Sequence, residues 1–315
     1  MIFHSGIKVK TENIPCPSCD SLNGDIISRG YDFEYFTCKN EFEFKFCNSC
    51  EIAYLSPRPM IDQLRIIYPK TYNAVNFHKM KNPFIKYGRY YAQKAKIKSL
   101  KKYIKPGFKV LDIGCGSGSL LMIMKKFYGE NITLYGNDID ESPLKFLQNN
   151  GIKTIEGRFE DIDISDNYFD IIILNQVIEH LDSVKDIVNK AQKLLSKDGI
   201  LFIETPCMKG LDYLLFKEKY WGGWHFPRHW TIFNDNSLSN LIELNNFKTI
   251  EKKFLASPSF WTQSFHHYFL DKSYKNIAKF FTIKNPFNLI VFTFIDLILS
   301  KFSFTSNMRL VFKKL

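Results

Sequence analysis

The sequence predicts an α/β protein: a doubly wound, mostly parallel sheet with a small cysteine-bearing β module ahead of it and a helical, aromatic insertion near its C-terminal end. Three observations lead there. Between Lys109 and Glu204 short apolar runs alternate with amphipathic segments, the pattern of βαβ units whose strands are buried on both faces. The first of these runs ends in a glycine-rich turn, Gly114-Cys115-Gly116-Ser117-Gly118. Residues 11–59 hold short β-like runs bracketed by two Cys-x-x-Cys pairs. Composition is that of an ordinary globular chain, 45% hydrophobic and 24% charged. Seven cysteines in 315 residues are too few for a secreted disulfide framework, which places the chain in a reducing compartment.

Residues 11–59 form the head. Cys16-Pro17-Ser18-Cys19 and Cys47-Asn48-Ser49-Cys50 are separated by 27 residues. Two such knuckles suit tetrahedral thiolate coordination of zinc, and the intervening strands suit a zinc ribbon. Four thiolates leave no open position, so the metal, held by Cys16, Cys19, Cys47 and Cys50, is structural. Asp20 and Glu51 stand where glycine commonly follows a knuckle, and Cys38 is a spare thiol. The competing reading is free thiols or a redox pair, for which one Cys-x-x-Cys beside a βαβ unit suffices.

Residues 60–105 form a basic connector. They contain 12 Lys and Arg against one acid, Asp62, and account for a charge equal to the net +11 of the whole chain. Phe84 to Ile104 reads as a helix, with Tyr87, Tyr91 and Ala95 spaced by four. Its charge is either a solvated face or an attraction for an anionic substrate or acidic membrane surface. Nucleic acid is the weaker partner, since no nucleic-acid module accompanies the charge.

Residues 106–315 form the main domain, opened by the turn signal Pro106-Gly107. Glycines after a strand let a ligand approach the backbone, and the helix that follows offers unpaired N–H groups. A dinucleotide fingerprint needs a third glycine at position 119, where Ser119 stands; a dehydrogenase is disfavoured. Twenty residues past Gly118, Asp138 closes the next apolar run, placed to accept the hydroxyls of a ribose.

With these residues the chain resembles the class I S-adenosylmethionine-dependent methyltransferases over residues 106–255. Asp112, Gly114, Gly116 and Gly118 match their first motif, Asp138 their ribose-binding acid, and Glu156 to Glu160 their adenine-lining segment. Phe169 to Leu174 matches the fourth strand, and Lys197-Asp198-Gly199 to Thr205-Pro206 the turn and fifth strand. The resemblance implies a seven-stranded sheet, S-adenosylmethionine as cofactor, and cofactor contacts that include Phe159, Glu160 and Asn175. It is silent on the acceptor. The knuckles followed by Tyr54 to Pro59 look like a recurrent head on bacterial methyltransferases, which often lie in glycan or sugar-nucleotide pathways.

Candidates for proton removal lie past the fourth strand and past the fifth. His180 has a suitable unperturbed pKa, unless Glu179-His180 merely steadies the loop. Asn175 to His180 is similar to a segment in the O-methyltransferases of ubiquinone biosynthesis, where two acids and a histidine have been linked to a divalent cation. Gln176 replaces the first acid, a poorer ligand for a hard cation, so no metal is carried over. In the aromatic stretch Trp221 to Trp230, His229 is a second catalytic candidate. Arg228, Trp224 and His225 are candidates for binding an anionic, ring-bearing acceptor, unless the stretch is structural.

The insertion, about 256–305, is crowded with Phe, Tyr and Ile. Packing onto the sheet explains it by default; a lid, or a lipid-docking surface with Lys279, Lys284 and Lys301 toward headgroups, is the alternative. Its most apolar stretch, Phe287 to Leu299, is interrupted by Asp296 and falls short of the ~20 residues that span a bilayer. Met1 to Lys10 has no continuous apolar run of the signal-peptide type. The expectation is a cytoplasmic methyltransferase with peripheral membrane contact, acting on a hydroxyl of a small, anionic, sugar-containing or lipid-linked acceptor. A quinone-like or phenolic ring is the runner-up. From another class, the chain could be a zinc-ribbon binding module with an inactive methyltransferase-like domain.

Overall fold

The structure is a computed structural model that describes residues 6–69, 72 and 83–315, with the side chains of residues 84 and 85 left aside. The head contains β1 (Thr11–Glu12), β2 (Gly24–Gly30), β3 (Phe42–Cys47), β4 (Ala53–Leu55) and β5 (Arg58–Pro59). Strands β2, β3 and β4 form an antiparallel meander, and β1 pairs with β5. After a short α1 (Leu64–Ile67), the connector forms α2 (Pro83–Leu100). The helix ends earlier than its pattern predicts, in a single 3-10 turn at Lys101–Tyr103, and Pro106 keeps the residue before it out of the helical region. Its packed face also differs from the expected one. Tyr87 and Tyr91 are 65% and 62% exposed, whereas Lys96, Ile97 and Leu100 are buried.

The main domain runs β6 (Lys109–Ile113), α3 (Ser119–Tyr128), β7 (Thr133–Asp138), α4 (Glu141–Asn149), β8 (Lys153–Glu156), β9 (Phe169–Asn175), α5 (Val184–Leu194) and β10 (Leu195–Pro206). It continues with α6 (Leu211–Phe216), β11 (Thr231–Ile232), α7 (Asp235–Glu243) and β12 (Phe247–Leu255). Then come α8 (Pro258–Asp271), α9 (Lys275–Phe280), α10 (Pro286–Leu299) and β13 (Asn307–Lys314). Asn234 caps α7 as its sequence predicts, its side-chain oxygen accepting the Ser237 N–H at 2.7 Å while Ser237 Oγ accepts the Asn234 N–H at 2.9 Å.

Seven strands form one sheet in the order β12-β13-β10-β9-β6-β7-β8. Strands β8 to β10 in that order are parallel, and β13 is antiparallel to both its neighbours. The chain winds from β6 to β7 on one side and back to β9 on the other, so a crevice opens at the carboxyl ends of β6 and β9. Alternate residues of each strand face opposite layers. Leu111, Ile172, Leu201 and Leu310 join a core shared with α5, α7 and the head's Cys16, Ile52 and Tyr54. Val110, Ile171, Phe202 and Val311 join the opposite core, which α2 closes with Ile97 and Leu100. Head and connector thus cover different faces of the sheet.

One pairing crosses the expected boundary of the head. Strand β11, from the stretch after β10, pairs with β4 and becomes the edge of the head's sheet. A third core, with Phe42, Phe44, Trp221, Trp224 and Trp230, seals that junction.

Candidate active site

The glycine turn sits at the crevice. Gly114, Gly116 and Gly118 have φ of 59°, 51° and 69°, a left-handed backbone that side chains other than glycine adopt at a cost. A Cβ at Gly114 would come within 2.7 Å of Val177 Cγ2, so the space is closed to larger residues. The Gly116 N–H donates to Asp138 Oδ2 at 2.7 Å, and the Asp140 N–H to Oδ1 at 3.0 Å. The ribose-type acid and the glycine turn are therefore locked together. Asp112 is buried beneath them, and burial pushes its carboxyl up to about 7 against the opposing pull of Lys96.

No sequence pattern singles out Lys96, which reads as one more solvated lysine of a basic helix. Helix α2 instead delivers its ammonium into the crevice, 2.6 Å from Glu204 Oε2 and hydrogen-bonded to Asn175 Oδ1. Glu204 also accepts from Arg309 Nε at 2.7 Å. Asp112, Asp138, Asn175 and the three glycines thus converge. Phe159 lies in the core with Lys190 over its ring, and Glu160 is tied to Arg158 at 3.2 Å. The first set could hold an adenosyl cofactor, since the glycine turn lets a nucleoside approach the backbone and the acid is the type that accepts from ribose hydroxyls.

Beyond the end of β9 three histidines come together. Ring centroids are 4.6 Å apart for His180 and His229, 4.9 Å for His225 and His229, and 6.3 Å for His180 and His225. His180 Nδ1 lies 3.0 Å from both the Arg228 carbonyl and the Tyr68 hydroxyl, and His229 Nδ1 lies 2.8 Å from the Gly223 carbonyl. A carbonyl at that distance requires a protonated Nδ1, so both rings present Nε2 as the lone-pair nitrogen. Burial lowers His180 to about 3 and His229 well below the usual imidazole range. Both are neutral at pH 7.

His225 differs from the other two. Its backbone is left-handed (φ 42°), its Nδ1 is 2.5 Å from Glu34 Oε1, and its Nε2 is 3.4 Å from the Tyr72 hydroxyl. Burial alone would raise Glu34, but His225 outweighs it and keeps the carboxyl ionised; Gln263 Nε2 donates to its other oxygen at 2.8 Å. Glu34 belongs to the head, 191 residues away in sequence, and no local signal marks it. Strained backbone beside an acid–imidazole pair is a frequent attribute of reactive sites.

Two acceptor candidates are placed elsewhere by the fold. Arg228 is fully buried and donates Nη1 and Nη2 to Asp32 Oδ1 and Oδ2 at 3.0 and 2.9 Å. Asp32 accepts further bonds from the Thr37 N–H and hydroxyl. Arg228 is therefore a tie between head and main domain rather than a receptor for an anion. Trp224 is also buried, donating Nε1 to the Lys217 carbonyl and stacking on Phe44 at 4.5 Å. It fills the junction core instead of facing a sugar.

Glu179 is buried next to His180. Thr205 Oγ1 donates to its Oε2 at 3.0 Å, Oε1 has no hydrogen-bond partner among the described residues, and burial raises the carboxyl to about 8. One ligand atom each from Glu179, His180 and His229 lie within 4.8 Å of one another. Gln176 stands apart from them, donating Nε2 to Asn307 Oδ1 at 3.1 Å.

The four head cysteines also converge, with all Sγ atoms within 4.8 Å of one another. Cys16 and Cys50 are 3.4 Å apart and Cys19 and Cys47 3.5 Å, near the roughly 3.8 Å edge of a tetrahedron with 2.3 Å metal–sulfur bonds. The two knuckles repeat one geometry. Cys16 N–H donates to Ser21 and Asp20 N–H to Cys16, while Cys47 N–H donates to Ile52 and Glu51 N–H to Cys47, each at 2.9 Å. Asp20 and Glu51 take the left-handed conformation, φ 59° and 58°, that glycine would adopt there. Cys38 lies in a different core, beside Phe42 and Phe44.

A family model described as a methyltransferase domain matches residues 84–252. Over 123 residues the chain is 32% identical to the ribosomal protein L11 methyltransferase of Dictyoglomus turgidum, covering 38% of this chain and 40% of that protein. Over 118 residues it is 30% identical to the (S)-coclaurine N-methyltransferase of Thalictrum flavum subsp. glaucum, covering 35% and 32%. The chain spans less than half the length of these two relatives. Among solved structures, it is similar to a SAM-dependent methyltransferase from Archaeoglobus fulgidus (TM-score 0.48, 18% identity, 71% of this chain and 94% of that one). Because the family model covers more than half of the 315 residues, the chain belongs to the methyltransferase-domain family.

Proposed function

We propose that the chain methylates a hydroxyl of a small ring-bearing acceptor held against the three histidines, with His225 as the base and Glu34 as the group that orients it. The observation that supports this most is the 2.5 Å Glu34–His225 contact beside two imidazoles kept neutral by burial. Bound in the crevice of Asp112, Gly114–Gly118 and Asp138, S-adenosylmethionine supplies a methyl group already activated as a sulfonium substituent. The protein's task is then to align the acceptor oxygen, remove its proton and keep water away. His225 Nε2 accepts that proton, and the Glu34 carboxylate stabilises the imidazolium through Nδ1–H. Tyr35, Tyr68 and Tyr72 pack edge to face and tilted around His180 and His225, a lining suited to a sugar or phenolic ring.

The acceptor's anionic character rests on the connector now that Arg228 is committed to Asp32. Arg89 on α2, pulled below the usual guanidinium range by burial with Tyr35 opposing, is the cation assigned to that role. A sugar-containing or lipid-linked acceptor of glycan biosynthesis fits these features, as does a quinone-like phenol. Zinc on Cys16, Cys19, Cys47 and Cys50 would fasten the two knuckles of the head.

The test has two parts. Isothermal calorimetry with S-adenosylmethionine should show binding that Asp138→Ala removes. Isotopically labelled methyl transfer to pooled sugar, lipid-linked and phenolic acceptors should then lose about 10²–10⁴-fold in kcat in His225→Gln, with cofactor affinity retained. Methylation of an amine nitrogen, or full activity in His225→Gln, overturns the hydroxyl reading.

A further inference from the structure

Helix α10 is turned inside out relative to an ordinary surface helix. Its polar residues Asn288 and Asp296 lie on one stripe with Phe292 and face inward. Asp296 accepts from the Ser257 N–H at 2.6 Å and from Trp261 Nε1 at 2.8 Å, and Asn288 Nδ2 donates to the Phe280 carbonyl at 2.6 Å. The acid that interrupts Phe287–Leu299 in sequence therefore does not interrupt the outer surface. That surface is apolar: Phe287 is 61% exposed, Ile290 66% and Phe294 66%, with Leu297 and Ile298 also exposed. Phe302 beyond the helix is 75% exposed, and α9 adds Ile277 and Phe280.

Within this segment the charge beyond residue 271 has one sign. Lys272, Lys275, Lys279, Lys284 and Lys301 are exposed, and the single acid between residues 272 and 304 is the buried Asp296. An exposed apolar face with a cationic rim matches an anionic bilayer surface, where each part contributes to binding that neither sustains alone. Fourteen residues of α10 make a rod about 21 Å long, short of the hydrocarbon thickness, so it lies along a membrane rather than across it. No helix among the described residues is long and apolar enough to cross one. A second copy of the chain is the poorer occupant, because a two-fold pairing would press like-charged rims together.

We infer that the outer face of α9 and α10 docks the enzyme onto an anionic lipid surface. The inference stands on the fold and goes beyond the acceptor reading, which can fail without it.

The experiment is co-sedimentation of the full chain with vesicles of phosphatidylcholine containing phosphatidylglycerol, and with phosphatidylcholine alone, at low and high salt. The protein should pellet with the anionic vesicles at low salt and be released by high salt. Ile290→Ser/Phe294→Ser and, separately, Lys279→Glu/Lys284→Glu/Lys301→Glu should each weaken binding at least about tenfold. Both should keep the wild-type circular dichroism melt and cofactor binding by calorimetry, which separates this failure from failure of the methyltransferase site. No pelleting at low salt overturns the inference, as does pelleting that the serine pair leaves unchanged. So does a wild-type dimer in sedimentation velocity that the serine pair dissociates without any vesicle binding.

Discussion

Replacing Arg228 by methionine tests how head and main domain are joined. The substitution keeps length and apolar volume but strips Asp32 of its bidentate partner in a fully buried setting. Burial by itself raises Asp32, yet the charge and hydrogen bonds of Arg228 and Thr37 hold the carboxyl down at about 2, from 3.8. That lowering corresponds to about 2.5 kcal/mol, and a buried charge left without its partner costs about 3–5 kcal/mol. Arg228→Met should therefore lose about 3–5 kcal/mol in urea unfolding followed by near-ultraviolet circular dichroism. Adding Asp32→Asn should restore at least about 2 kcal/mol, because the stranded charge is gone. The sign with pH follows. A depressed carboxylate stabilises the fold above its unfolded pKa, and that contribution is lost as pH falls from 3.8 through about 2. The gap between wild type and Arg228→Met should accordingly narrow from pH 5 toward pH 2. A loss below about 1 kcal/mol, the range of exposed pairs, or additive effects in the double variant would refute the clamp. An unchanged melt with a raised KM would instead return Arg228 to the acceptor.

Glu51→Gly should raise stability by about 0.5 kcal/mol and Glu51→Val lower it by about 1 kcal/mol or more, since position 51 is left-handed; equal melting temperatures would contradict that backbone. Asp212 is buried, and burial raises it to about 7 while Ser306 and Trp221 oppose the shift. Its protonated form is favoured in the fold, so stability is lost as pH rises from 3.8 through about 7. Asp212→Asn should abolish a few kcal/mol of that loss, and an identical pH dependence in both proteins would exclude it. Elemental analysis should find one zinc per chain, and Cys16→Ser should lower both zinc content and head stability; full stability without metal would show the knuckles fold unaided.

What sequence patterns reveal here is local. The alternation from Lys109 to Glu204, the capped start of α7 and the glycine turn before Asp138 are each written within a few residues, where periodicity and turn chemistry act directly. The pairs that tie the head and connector to the main domain are long-range. Asp32 meets Arg228 across 196 positions, Glu34 meets His225 across 191, and Lys96 reaches Asn175 across 79. Composition marked Arg228 as a cation for a ligand because nothing nearby shows the acid that neutralises it. The same blindness applies to α2 and α10, where the identity of the buried face depends on which surface the helix meets. Tyr87 and Tyr91 look like a packing stripe and face water, while Asp296 looks like an interruption and faces inward.

Strand β11 closes the head's sheet against β4, although ribosomes make it about 180 residues later, after roughly 9–35 s at ordinary elongation rates. Until then the emerging N-terminal segment lacks its edge strand and the arginine that neutralises Asp32. A knotting of early and late parts of this kind delays the last folding step until most of the polypeptide exists, and it makes nascent chains halted before Thr231 sensitive to protease in the region that, once synthesis is finished, lies under three tryptophans.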